Sequence, residues 1–404
     1  MTQHYDVCIN GAGPIGSTLA CLLVQAGMRV LLLEKQNLDT KALPSLDGRT
    51  YALTEGSRPL LEQAGLWKNL PSPPEAIRTI TVSDGEGRFP RNAPRTTLLF
   101  TPEDAPEHQP FGWMVEANTL LASIGLTLET QPPSLRLCSP MQGKFAFSAE
   151  TVTITLEQGE IVTTDLVIAA DGRRSELRKQ AGIGLTTIPY HKSALVAIIA
   201  HKNSHHGAAL ENFLPQGPFA RLPLPPTPEH PHRSAVVWTD RPDRIDHFRS
   251  LPDASFVENV QARLAGEALG EMQLIGQKWL YPLSSQYAHN YVSQRLILVG
   301  DAAHGLHPVA GQGMNLGFRD IQLLAPLLTE AFQNGLDFGE AGLLKRYQWK
   351  TRPHNLAMLA GCDLMERLFS NDRPLLQLIR QAGLRLLERS PRLRQSFVKQ
   401  AMGL

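Results

Sequence analysis

The chain has 404 residues, enough for two or three domains around a large core, and a formal net charge of +1, so no global field draws it to nucleic acid. Its four cysteines, Cys8, Cys21, Cys138 and Cys362, form no CxxC pair, which fits a reducing compartment and gives no disulfide framework. No basic leader with an apolar core opens the sequence, and no apolar run nears the ~18 residues that span a bilayer, so a cytoplasmic protein is expected.

In chain order, residues 6–35, DVCINGAGPIGSTLACLLVQAGMRVLLLEK, read as strand, glycine turn, helix and second strand. Gly11 lets the chain turn off the strand. Gly13 lets backbone N–H groups approach a pyrophosphate, and Gly16 lets the helix pack on the strand. Glu34, closing the second strand, is placed to accept hydrogen bonds from an adenosine ribose. The stretch predicts a dinucleotide fold and leaves FAD and NAD undecided. Residues 47–67 predict a short helix carrying Leu53, Leu60, Leu61 and Leu66 behind a polar loop, and residues 71–110, rich in Pro, Gly and charge, predict short strands and turns. The alternating TVTITLEQGEIVTTD predicts a hairpin leading into the buried strand DLVIAADG at 165–172. Over 185–285, strand-like runs such as ALVAIIA and SAVVWTD alternate with proline-rich loops, with one helix at about 253–268, which predicts a mostly antiparallel sheet inserted into the first domain. A third buried strand, RLILVGDAAH, follows at 295–304, and from Gly313 onward the pattern is helical. Strand-plus-glycine signals therefore recur near residues 11, 172 and 300.

Three segments in this order, GAGPIG with Glu34, DGRRSELR at Asp171–Arg178 and GDAAHGLHPVAGQGMNLGFRD at Gly300–Asp320, resemble the single-component flavoprotein aromatic hydroxylases, the family of para-hydroxybenzoate hydroxylase. Within it, DGRTYALTEGSRPLLEQAGLW, GQGMNLGFRD and the closing QAMGL are similar to the hydroxylases of ubiquinone biosynthesis. The resemblance implies an α/β fold: a Rossmann-like FAD-binding domain with an inserted, mostly antiparallel β-sheet substrate domain and a helical C-terminus. The expected partition is 1–75, 100–180 and 286–345 for FAD, 76–99 and 181–285 for substrate, and 346–404 for the C-terminal helices. The implied reaction is hydroxylation of a polyprenylated phenol through a flavin C4a-hydroperoxide, using FAD, O2 and electrons from NAD(P)H or a separate reductase.

Such chemistry requires no side-chain nucleophile, and none is evident. Cofactor-binding candidates are Gly11, Gly13, Gly16, Glu34, Arg49, Asp171, Gly300, Asp301, Gly313, Met314 and Asn315. Asp301 leaves the third strand where a carboxylate can accept from a ribityl hydroxyl. The N–H groups of Gly313, Met314 and Asn315 open a helix toward the flavin pyrimidine edge. Arg49 is a candidate cation over the pyrophosphate or flavin edge, and Arg178 a structural or nicotinamide-site partner. His304 and Pro308 are the candidates for contact with flavin or substrate, Pro308 through the family motif. The pairs His304/His307 and the cluster His201, His205 and His206 lack the spacing of a metal site, so no metal is expected.

From Arg373 to Leu404, seven basic residues stand against Glu388 alone, interleaved with leucines. The pattern predicts a basic amphipathic helix able to rest on an anionic membrane surface, peripherally at the inner membrane, or to join a quinone-biosynthesis assembly. Competing readings are a same-fold flavoprotein reductase or halogenase, the latter lacking its tryptophan-rich signature here, and a non-catalytic flavoprotein scaffold.

Overall fold

The computed structural model describes residues 3–38, 48–85, 96–306, 311–369 and 374–404. The opening strand Gln3–Asn10, whose inner residues Val7, Cys8 and Ile9 are fully buried, lies at the middle of a parallel sheet. Its neighbours are Val30–Leu33 on one side and Ile161–Ala169 on the other. Leu135–Cys138 and Leu296–Leu298 extend the sheet outward, all parallel. Continuous apolar runs suit strands buried on both faces, and helices cover this sheet: Pro14–Gln25 and the long helix Gln312–Gln333 pack into one core with it. The predicted hairpin is present, with Val152–Leu156 antiparallel to Ile161–Ala169.

A second, eight-stranded sheet carries the residues between the second and third motifs. Two strands of 17 residues, Leu185–His201 and Met272–Ala288, run antiparallel through it, with register shifts at Pro189/Ser193 and Val196/Ile198. Ala208–Leu214, Gly217–Leu224 and Arg233–Asp240 complete its centre, and Thr79–Asp84 with Thr96–Phe100 form one edge. Strand periodicity sorts its two faces. Leu195, Leu210, Phe219, Val236 and Trp238 point to the outer face under helices Pro242–Ser250 and Asp253–Gln261. Ile198, Ala209, Phe213 and Ala235 point inward. The helix expected at about 253–268 is Asp253–Gln261, which ends earlier than expected, and the helix before it, Pro242–Ser250, is absent from the sequence reading; the two part at Leu251–Pro252, where proline cannot donate to a helical ladder.

Part of the expected polar loop at 47–67, together with Leu53, which was expected on the helix, is instead a strand, Thr50–Thr54. It pairs antiparallel with Gly112–Glu116 in a small third sheet, followed by the predicted helix, Arg58–Gln63. The pairing partner lies about sixty residues downstream, so nothing local marks the strand.

The C-terminus is helical as expected, in Ala341–Phe369, Pro374–Arg389 and Pro391–Ala401. Its charge does not all face solvent. Arg380 is 3% exposed and paired with buried Asp84 at 3.1 Å, and Arg394 pairs with Asp104 at 2.5 Å. Leu384, Val398 and Met402 are buried against the inner face of the second sheet. Both pairs tie the tail to that sheet's edge region, and Met402 O accepts from Gly56 N at 2.9 Å, fastening the last turn beside the small sheet. Arg385, Arg389, Arg392 and Lys399 remain exposed.

Candidate functional site

The three motifs are more than 100 residues apart in sequence, yet the parallel sheet places them side by side. Asn10 is in register with Ala169, and Ala169 with Leu298. The chain leaving each strand, at Gly11, Asp171 and Gly300, therefore emerges along one carboxyl edge, where open α/β sheets bind ligands. Backbone bonds from Ala170 N to Asn10 O (2.8 Å) and Val299 N to Ala169 O (3.0 Å) carry the register to the edge itself.

At the first turn, Gly11 has φ +112°, and a Cβ there would lie 2.4 Å from Ala170 O. A Cβ on Gly16 would lie 1.9 Å from Gly11 O, so helix Pro14–Gln25 can approach the strand only with glycine at that position. Gly13 differs: a Cβ there meets nothing within 4 Å, and this residue is the uncapped N-cap of the helix. The open space faces the unpaired N–H groups of the first turn, the arrangement that receives phosphate. Glu34 is aimed at the same turn, its Oε2 accepting from Ala12 N at 2.8 Å and its Oε1 from Gln36 N at 2.9 Å. Each carboxylate oxygen keeps a second lone pair for a ligand hydroxyl.

At the second motif, Asp171 Oδ2 accepts from Glu176 N at 3.0 Å, while Oδ1 is buried with no partner. A buried acceptor left open at this edge matches a ligand donor. Arg178 is buried, not solvated: it donates to Ala302 O at 2.8 Å and Arg173 O at 3.0 Å, fastening the second motif to the third, and burial holds its pKa below the ordinary arginine value. Arg173 itself donates to Ser284 O at 2.6 Å, and Gln286 bridges Arg173 O and Asp301 O, so the long strand of the second sheet is tied into the same edge.

In the third motif, Asp301 makes no side-chain hydrogen bond among the described residues, and burial raises its pKa, with Arg173 opposing. His304 is 1% exposed and turns away from open space: its Nε2 lies 2.6 Å from Asp320 Oδ2. The same carboxylate accepts from Gly300 N (2.9 Å) and, through Oδ1, from Asn355 Nδ2 (2.9 Å). Asp320 thus holds the turn, the histidine and helix Ala341–Phe369 at one point. Burial opposes charge on His304, but the Asp320 carboxylate prevails and its pKa is raised. The carboxamide of Asn315 is likewise occupied: Oδ1 accepts from Thr54 N (2.9 Å) and Ser57 Oγ (3.0 Å), and Nδ2 donates to Ala52 O (2.8 Å). Only the main chain at the start of helix Gln312–Gln333 is left to meet a ligand. There Gly311, with φ +63°, lies against Ala52, Gly313 faces open space and Met314 packs on the large core. Arg49 is exposed, next to Gly48, which lies against the Trp279 ring. Pro308 and His307 lie outside the described residues.

His201 and His205 of the histidine cluster serve the fold. His201 bonds Asn203 O and Ser234 Oγ, and His205, its pKa pushed down by burial to about 4, lies 3.3 Å from Leu224 O and accepts from Gly207 N. Asp320, Asn355, Arg173 and Gln286 were not among the sequence candidates. Asp320 closes the quoted third motif, but its role is visible only when Gly300, His304 and Asn355 converge on it.

Two variants test this edge. Gly13→Ala adds a methyl group that meets no protein atom, so the apoprotein should unfold within about 0.5 kcal/mol of wild type, while FAD affinity, by fluorescence titration, drops tenfold or more. Equal FAD affinity would separate Gly13 from the cofactor. Because the folded pKa of His304 is raised, its contribution to stability is complete below the unfolded value near 6.5 and is lost as pH rises through the folded value. The difference in unfolding free energy between wild type and His304→Gln should therefore be largest at acid pH and shrink above pH 6.5; a difference that grows with pH would contradict the pairing.

The match with known proteins covers nearly all of the chain. Residues 4–361 match the family model described as FAD binding domain. The chain is 39% identical over 398 residues to the ubiquinone hydroxylase UbiL of Rhodospirillum rubrum, covering 98% of this chain and 89% of that protein. It is 31% identical over 408 residues to the 3-demethoxyubiquinol 3-hydroxylase of Escherichia coli, covering 100% and 99%. Among solved structures, p-nitrophenol 4-monooxygenase PnpA of Pseudomonas putida shares the fold with a TM-score of 0.76 at 18% identity, covering 100% of this chain and 99% of that one. The open acceptor on Asp171, the uncapped helix at Gly13 and the space at Gly313 fit an extended dinucleotide lying along the carboxyl edge. The chain therefore belongs to this FAD-binding family, as an FAD-dependent aromatic hydroxylase.

Proposed function

We propose that the protein hydroxylates the aromatic ring of a polyprenylated phenol in ubiquinone biosynthesis, with FAD, O2 and electrons from NAD(P)H or a separate reductase. The observation that carries the reading is the facing of two surfaces: a cofactor edge built by three motifs, and an inner sheet face lined by Val82, Leu222, Val237 and Trp279. An apolar wall suits a prenylated ring better than a charged aromatic acid. Among the described residues, Lys192, Arg233 and Arg380 beside this face are each held in an ion pair, with Glu366, Glu116 and Asp84. The relatives named ubiquinone hydroxylases support the same substrate class.

FAD, when bound, supplies the activation of dioxygen. The chain's own work is to hold it and to shape the site around the ring. Glu34 and the turn at Gly11–Gly16 hold the adenosine and pyrophosphate end, and Asp171, Asp301 and the main chain at Gly313–Asn315 hold the ribityl and ring end. The tail bridges the second sheet to the small sheet through Arg380, Arg394 and Met402.

The discriminating experiment is a single turnover. Holoprotein reduced without air is mixed with 18O2 and ortho-farnesylphenol, and one labelled atom is expected in a new ring hydroxyl. Reoxidation of the flavin with hydrogen peroxide as the sole product, for that phenol and for longer-tailed ones, would instead indicate a reductase or a scaffold.

The C-terminal surface is our candidate for substrate collection. No helix among the described residues is long and apolar enough to cross a membrane. Ile379, Leu386, Leu393 and Phe397 are nevertheless 45–58% exposed among Arg385, Arg389, Arg392 and Lys399. That face can rest on anionic lipid or on a partner in a quinone-biosynthesis assembly. At about 1 kcal/mol per basic residue near the surface, Arg385→Glu/Arg389→Glu/Arg392→Glu should weaken co-sedimentation with anionic liposomes by roughly a hundredfold at low salt. Undiminished sedimentation would exclude this face.

A further inference from the structure

One row crosses the inner face of the second sheet in strict register. Val82 pairs with Glu211, Glu211 with Ala220, Ala220 with Val237, Val237 with Val196 and Val196 with Trp279. Apart from Val196 the row is only partly buried, in contrast to the closed outer face, so it borders open space. At one end Trp279 lies against Gly48, beside Arg49, and Ala52 and Leu222 belong to the same apolar cluster. The row therefore adjoins the cofactor edge at its Trp279 end, and Glu211 is the single ionisable side chain in it.

Glu211 has no hydrogen-bond or ion-pair partner among the described residues. Nearby carboxylates are all engaged: Glu366, one turn before Phe369 on helix Ala341–Phe369, with Lys192 at 2.7 Å; Asp84 with Arg380; Glu116 with Arg233. Phe369 stacks on Phe213, two residues along the Glu211 strand, with ring centroids 4.0 Å apart, and brings Glu366 to face Glu211. Burial, and then repulsion from Glu366, push the Glu211 carboxyl up to about 7. An ionised group in an apolar wall destabilises the fold unless a ligand satisfies it, and such costs are characteristic of residues kept for function.

We propose that Glu211 is the catalytic base that grips the substrate: its carboxylate accepts a hydrogen bond from the phenol hydroxyl and takes that proton as the ring is oxidised. This rests on the hydroxylase reading above, with dioxygen and reduced flavin supplying the new oxygen. The phenol O–H bond breaks, its electron pair enters the ring and activates the carbon to be hydroxylated, and the proton resides on Glu211. When that carbon loses its hydrogen to water, Glu211 returns the proton to the original oxygen. The wall then reads as a specificity device: one acceptor for a ring hydroxyl, with apolar surface around it.

The test compares ortho-farnesylphenol with its O-methyl ether, which cannot donate, using holoprotein and the flavin absorbance change on binding. Wild type at pH 8 should prefer the phenol by about tenfold, the difference between a charge-assisted and an ordinary hydrogen bond. The preference should collapse in wild type at pH 6, where Glu211 is protonated, and in Glu211→Gln at both pH values. Single-turnover product formation by Glu211→Gln should fall roughly a hundredfold or more while FAD content is unchanged. The variant should be at least as stable as wild type above pH 7, because the raised folded pKa means that ionised Glu211 opposes folding there. A wild type that hydroxylates the phenol yet shows a pH-independent preference, or a variant that retains it, overturns the role of Glu211 alone. A wild type that binds neither compound and hydroxylates nothing overturns the hydroxylase reading with it.

Discussion

The site depends on the parallel register of strands Gln3–Asn10, Ile161–Ala169 and Leu296–Leu298. Each strand ends in a turn that would bind little by itself. Side by side they give a line of unpaired main-chain donors and carboxylates along one edge, and an extended dinucleotide can satisfy them all at once. The buried Asp320 carboxylate secures the third turn, because Gly300 N, His304 Nε2 and Asn355 Nδ2 all converge on it. A charge with three partners and no access to water fixes geometry, since losing any one partner leaves a buried polar group unsatisfied.

The second sheet solves a different problem. Its outer face is sealed by two helices around Trp238, whose indole lies 3.9 Å from Phe248 and carries Arg263 at 3.7 Å. Its inner face is not sealed in the same way. The C-terminal helices pack on part of that face, through Leu384, Val398 and Met402 and through Arg380–Asp84 and Phe369–Phe213, and the row from Val82 to Trp279 stays, Val196 apart, only partly buried. The tail connects both functions, since it packs on the second sheet and then bonds Gly56 beside the helix that begins at Gly311.

Much of the cofactor edge was legible because glycine is demanded there by covalent geometry. Gly11 and Gly16 have no room for a Cβ, so the physics of the turn is written directly in residue type. Side-chain assignments were less legible. Asn315 is read from its motif for the main-chain N–H alone, and its side chain is a clamp on Thr54, Ser57 and Ala52; Arg178 is read as a structural or nicotinamide-site partner, and it is buried between two motifs. In both, the deciding partners lie more than 100 residues away. Arg380 belongs with them: in sequence it is one of seven basic residues on an amphipathic tail, and in the fold it is the buried partner of Asp84.

Sequence alone determined the βαβ unit, the three strand-plus-glycine segments and their order, the antiparallel sheet and the helical tail, because periodicity, glycine positions and turn chemistry are local properties. Tertiary structure alone decided which charges are buried, that Thr50–Thr54 is a strand, and that Glu211 stands unpaired in an apolar wall. Burial and pairing are relations between distant segments, and a carboxylate acquires an unusual proton affinity only when folding removes its water and sets another carboxylate opposite it.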